Sequence, residues 1–118
     1  MEISDMGYIE NMINRRCVKA FLDVIILDTL RNGGSSGYDI VNKVYEKFDV
    51  LLSASAVYSV LDSLKKKHLV YVEHDGRRKI FSFTRKGHLY ADTVIEEYEK
   101  FTSQLVSSKI VRSARYNL

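Results

Sequence analysis

Arg77, Arg78 and Lys79 stand in a row directly after Asp75-Gly76, a dipeptide that favours a tight hairpin turn. Three cations at the tip of a projecting ribbon suit the phosphates of a nucleic acid or a narrow minor groove. The competing explanation is a hairpin tip charged for solubility. A second cluster, Lys65, Lys66 and Lys67, closes a stretch of helical periodicity, where cations also complement the helix dipole. Between Ser53 and Tyr90 there are eight Lys or Arg against three Asp or Glu, although the whole chain carries only +3. The clustering, rather than the total, points to a polyanionic partner.

The segment before the lysines predicts a helix from about Ser53 or Ala54 to His68. Val57, Val60, Leu61, Leu64 and His68 form one apolar stripe at three- and four-residue spacing. The opposite face is small and polar, with Ser55, Ser59, Asp62 and Lys66, and Tyr58 and Lys65 lie on one flank. A major groove admits one helix, so this face is the candidate reading head. Ser53, Ser55 and Ser59 can exchange hydrogen bonds with bases or phosphates, and Ala54 and Ala56 permit close backbone approach near the helix N-terminus. No Arg, Asn or Gln sits there for a bidentate base contact, so direct readout is expected to be weak. The alternative is an ordinary solvated serine face.

Catalytic constellations are poor. His68, His74 and His88 lack metal-ligand spacing, and no nucleophile elbow, phosphate loop or dinucleotide fingerprint occurs. Cys17, the single cysteine, excludes an internal disulfide and reads as a small packing residue on a helix. Neither an enzyme nor a cofactor nor a metal is expected. The apolar run Val24 to Leu27 is far short of the roughly 20 residues of a membrane span, and no signal pattern precedes it. A reducing cytoplasm is the expected location, with no membrane partner.

At 118 residues, 46% of them hydrophobic, the chain is expected to bury one core. The reading helix needs a scaffold, and the flanking sequence supplies one. Cys17 to Arg31 predicts a helix that is apolar on two faces, with Phe21 and Val24 on the second. Asn32 to Gly37 is a helix stop followed by a start. Ser36 can cap a second helix to about Phe48, with Tyr38, Val41, Val44, Tyr45 and Phe48 inward. Leu69 to His74 and Arg77 to Phe83 read as two strands of a wing around Asp75-Gly76. Residues 1–14 carry Met6, Ile9 and Ile13 at short-helix spacing.

Thr84 caps a last helix with Ala91, Val94, Tyr98, Phe101 and Leu105 spaced as a heptad seam. In isolation that seam exposes an apolar strip, and a second copy of the chain would cover it. Phe21, Val24, Ala91, Val94, Tyr98, Phe101 and Leu105 are therefore the expected homodimer interface. The tail beyond Ser108 carries Lys109, Arg112 and Arg115. The fold class is α+β: a winged helix-turn-helix with an N-terminal helix and a long C-terminal dimerisation helix. Its expected divisions are an extension at 1–14, the winged domain at 15–86, and the dimerisation helix with basic tail at 87–118.

Over roughly Val24 to Phe101 the chain resembles the short PadR-type transcriptional regulators. The similarity lies in Gly37-Tyr38-Asp39-Ile40, in Ser53 to Leu61 with Tyr58, and in Gly76-Arg77-Arg78-Lys79 followed by Phe81, Thr84 and Gly87. The resemblance implies a homodimer in which the C-terminal helix packs on the partner's N-terminal helix. It also implies a repressor on an inverted-repeat operator, with Tyr58 and the basic wing on the DNA backbone. Some members bind flat aromatic effectors at the dimer centre, where this chain places Tyr98, with Phe101 one turn on, instead of the tryptophan those members carry. In place of the proline or bulky polar residue usual in the first turn of the reading helix, Ala54 and Ser55 occur.

The expected function is a sequence-specific double-stranded DNA-binding regulator, reading through about 54–68 and a wing at about 74–79. The expected contacts are Ser53, Ser55, Ala56, Tyr58, Ser59, Lys65, Lys66, Arg77, Arg78 and Lys79. Two alternatives are a sensor with an aromatic effector pocket at Tyr98 and Phe101, and a winged helix that docks an acidic protein.

Overall fold

The structure, a computed structural model, describes residues 3–106, so the tail with Lys109, Arg112 and Arg115 lies outside the described residues. The elements in chain order are α1 (Ile3–Ala20), α2 (Leu22–Arg31), α3 (Gly37–Phe48), α4 (Ala54–Lys66), β1 (Val70–Asp75), β2 (Arg78–Phe83) and α5 (Arg85–Leu105). This is an α+β winged helix-turn-helix. The expected single helix from Cys17 is instead broken at Phe21, whose backbone leaves helical geometry at φ −112°, ψ 23°. Hydrogen bonds from Phe21 N to Cys17 O and from Ile25 N to Phe21 O, both 2.9 Å, carry the chain across the break. α1 also runs continuously through residue 14, so a boundary there falls inside a helix.

Three helices start at capping hydroxyls, of which the sequence nominates those of Ser36 and Thr84. Ser36 accepts from Asp39 N, Ser53 from Ala56 N and Thr84 from Gly87 N, each satisfying an otherwise orphaned amide. α4 stops two residues earlier than expected. Leu69 N bonds to Leu64 O and His68 N to Lys65 O, the paired bonds of a Schellman end, with His68 in the left-handed region at φ 59°. His68 is consequently exposed and does not extend the apolar stripe.

α2 is central, packing on α1, α4, β2 and α5. Ile26, Leu27 and Leu30 from α2 meet Ile40 and Val44, Val57, Leu61 and Leu64, Phe81 and Phe83, and Ala91 and Ile95 in one cluster. In α3 the expected inward tyrosines point outward: Tyr38 is 65% and Tyr45 51% exposed, and Ile40 takes the buried position. A tyrosine on an amphipathic helix satisfies the same spacing with its ring at the solvent edge, so periodicity alone does not orient it.

β1 and β2 pair antiparallel from Val70↔Phe83 to Asp75↔Arg78. The two turn residues are therefore Gly76 and Arg77, one place later than Asp75-Gly76, with Gly76 at φ +63° as a type II′ turn demands at its first central position. Ser35 adds an isolated antiparallel bridge to Phe81 through bonds of 3.0 and 2.8 Å. The segment between α2 and α3 thereby becomes a third, minimal strand that joins the wing to the start of α3.

Candidate nucleic-acid interface

The outer face of α4 is as small as its sequence: Ser55 and Ser59 are exposed, while Ala56 is half-buried. Ser53 is engaged at the cap, and its hydroxyl also lies 3.3 Å from that of Ser55. Lys65 and Lys66 occupy the last turn of α4, both exposed, where they complement the helix dipole and extend the positive surface together.

Tyr58 ties three elements together. Its ring meets Tyr38 of α3 and Phe81 of β2 edge-on, at centroid distances of 5.9 and 6.0 Å. Tyr58 is half-buried and borders an open cleft of about 580 Å³. Ser36, Tyr38 and Asp39 from the start of α3 line the cleft on one side, and Arg77, Arg78 and Lys79 of the wing line it on the other. Arg77 and Lys79 are exposed. Arg78 is engaged: its Nη2 pairs with Asp39 Oδ2 and lies 3.5 Å from Ser36 Oγ.

A second cleft, about 450 Å³, is lined by the C-terminal half of α4 and by β1 and β2. Lys65 and Lys79 border it with Asp62, His68, Tyr71 and His74. Lys79 lines both clefts. The fold thus brings Tyr58, Arg77, Arg78 and Lys79 together in one cleft and joins Lys65 to Lys79 in the other. Ser36, Tyr38, Asp39 and Tyr71 are lining residues outside the expected contacts. Their place in the cleft is not local in origin, since Asp39 meets Arg78 across 39 positions of chain.

The expected dimer residues divide. Ala91 is fully buried by its own chain and Ile95 beside it is 8% exposed, so these two positions have no surface for a second copy. Ala91 is thereby removed from the expected interface. Phe21, Val24, Val94 and Tyr98 are half-buried, and Tyr98 already meets Phe21 of the same chain edge-on at 5.6 Å. Phe101 and Leu105 remain 55% and 60% exposed. Among the described residues no group of His, Cys, Asp or Glu is arranged to hold a metal ion, and no helix is long and apolar enough to cross a membrane.

The profile of the transcriptional regulator PadR-like family matches residues 26–93. Among solved structures, a transcriptional regulator from Clostridium thermocellum superposes with a TM-score of 0.67 at 24% identity, covering 76% of this chain and 91% of that one. A PadR-like transcriptional regulator from Bacillus cereus gives 0.67 at 18%, covering 76% and 92%. A PadR family transcriptional regulator from Eggerthella lenta gives 0.67 at 18%, covering 93% and 97%. At these identities the superpositions show the fold, and the profile match over more than half of the chain shows the family. No curated protein matches the chain.

Proposed function

The chain belongs to the PadR-like family of transcriptional regulators, DNA-binding proteins and not enzymes, and on that premise we propose that it is a sequence-specific repressor that binds an inverted-repeat operator as a homodimer. The observation that carries this reading is the convergence of Tyr58 and three wing cations on one open cleft beside the exposed serine face of α4. Arg77 and Lys79 contact phosphates there, and Tyr58 backs them as a rigid aromatic wall. Ser55 and Ser59 face the major groove. Their short side chains make few base-specific bonds, so operator choice depends in large part on duplex shape and on the spacing of two half-sites.

The second copy is supported by apolar surface that the single chain leaves open. Phe101 and Leu105 continue the α5 stripe past the core, and Met6 and Ile13 of α1 are 56% and 47% exposed. Their burial between copies would give a two-fold symmetric particle with two reading helices, which matches an inverted repeat. In this arrangement residues 15–86 carry the reading surface, α5 carries the dimer contact, and the regulator works in the cytoplasm.

Electrophoretic titration of duplexes tiled across the DNA flanking the chain's own gene tests the reading. A discrete complex of two chains per duplex on one tile is expected. Equal retardation of every tile would contradict it.

A further inference from the structure

We propose that Asp39 acts as an internal competitor for DNA: its carboxylate occupies the guanidinium of Arg78 in the free protein, and a duplex must displace it before Arg78 can neutralise a phosphate. This rests on the DNA-binding reading above.

Among the residues lining the wing cleft, Asp39 is the one carboxylate, set against Arg77, Arg78 and Lys79. It pairs with the middle cation of the three, through Asp39 Oδ2 and Arg78 Nη2. Carboxylate and phosphate satisfy the same guanidinium fork, so the two compete for it rather than bind it independently. Both partners are open to solvent, with side-chain exposures of 54% for Arg78 and 42% for Asp39, and such a pair exchanges readily and adds little to folding. The cap of α3 does not need the carboxylate, because Ser36 Oγ accepts from the backbone N–H of Asp39. What holds Asp39 in place is the first turn of α3, where the helix dipole favours an anion.

The consequence is selectivity. On arbitrary sequence, Arg77 and Lys79 are ready to meet phosphates, whereas Arg78 stays on Asp39. Only a duplex whose fit brings a phosphate into the cleft recovers the third cation. Asp39 is thus a specificity-determining residue acting through Arg78.

Asp39→Asn, Arg78→Ala and the double variant, each checked for folding by circular dichroism, are titrated onto a short duplex of arbitrary sequence across a salt series. Asp39→Asn should bind more tightly than the unsubstituted protein. Its log–log salt slope should be steeper by up to about 0.9, the contribution of one phosphate contact. The double variant should match Arg78→Ala alone, and Asp39→Ala should repeat the result of Asp39→Asn. A shallower slope in Asp39→Asn would overturn the proposal, because the carboxylate would then be orienting Arg78 onto phosphate. An unchanged slope, or an equal steepening in the Arg78→Ala background, would overturn it too. Absence of salt-dependent binding by the unsubstituted protein and all variants would overturn the DNA reading and the proposal together, an outcome distinct from the others.

Discussion

Gly37 lies directly beneath the ring of Tyr58: a Cβ at that position would stand 2.5 Å from Tyr58 Cζ and 2.6 Å from Cε2. The first residue of α3 therefore has to be small so that the aromatic side chain of α4 can lie across it. Because the same ring also meets Tyr38 and Phe81, this single close approach sets α3, α4 and the wing relative to one another.

Gly37→Ala should cost about 1–3 kcal/mol, the usual range for overpacking a well-filled site. Urea unfolding measures it, and the loss should be smaller in a Tyr58→Leu background, since the two positions are in contact. Equal losses in both backgrounds would separate Gly37 from the aromatic cluster.

His68 holds φ 59° at the end of α4, a conformation that glycine adopts without a Cβ penalty. His68→Gly should stabilise the fold by about 0.5–1 kcal/mol after allowing for the greater freedom of glycine in the unfolded chain. A higher urea midpoint at constant slope is the expected observation. A lower midpoint would mean that the His68 side chain contributes more than its backbone costs.

Among the described residues Arg77 pairs with no carboxylate, whereas Arg78 pairs with Asp39. Arg77→Ala should weaken binding to every duplex alike and flatten the salt slope by about 0.9, and on duplexes of arbitrary sequence Arg78→Ala should flatten it by distinctly less. Ser59→Ala should change the preference between sites and leave the salt slope unaltered. An unchanged slope in Arg77→Ala would remove the wing from the interface.

Phe101 projects from α5 beyond the part buried on α2. Phe101→Glu should shift the protein from dimer to monomer in sedimentation at micromolar concentration, with the circular dichroism spectrum preserved. A monomeric unsubstituted protein would contradict the symmetric assembly outright.

What the sequence made legible is local in origin. The caps at Ser36 and Thr84, the stripe of Val57, Leu61 and Leu64, and the strands with their turn each depend on residues close together in the chain. The misplaced features depend on distant packing. Periodicity finds an apolar stripe on α5 but cannot say that Ala91 and Ile95 fall on α2 of the same chain while Phe101 and Leu105 do not. The break at Phe21 and the outward turn of Tyr38 and Tyr45 likewise follow from what surrounds each helix. In the cleft, Arg77 to Lys79 were visible as a run of like charge, whereas Asp39 gained its role only when folding brought α3 to the wing. The bridge from Ser35 to Phe81 escaped notice because one pair of residues carries no alternation to read.

The most direct measurement is selection of bound duplexes from a pool of random sequence by the purified protein at fixed, near-physiological salt. Enrichment of a motif with two-fold symmetry is expected, bound roughly a thousandfold or more tightly than a shuffled version of the same composition. A pool that remains random after repeated rounds, with every duplex held equally and released by salt, would contradict it.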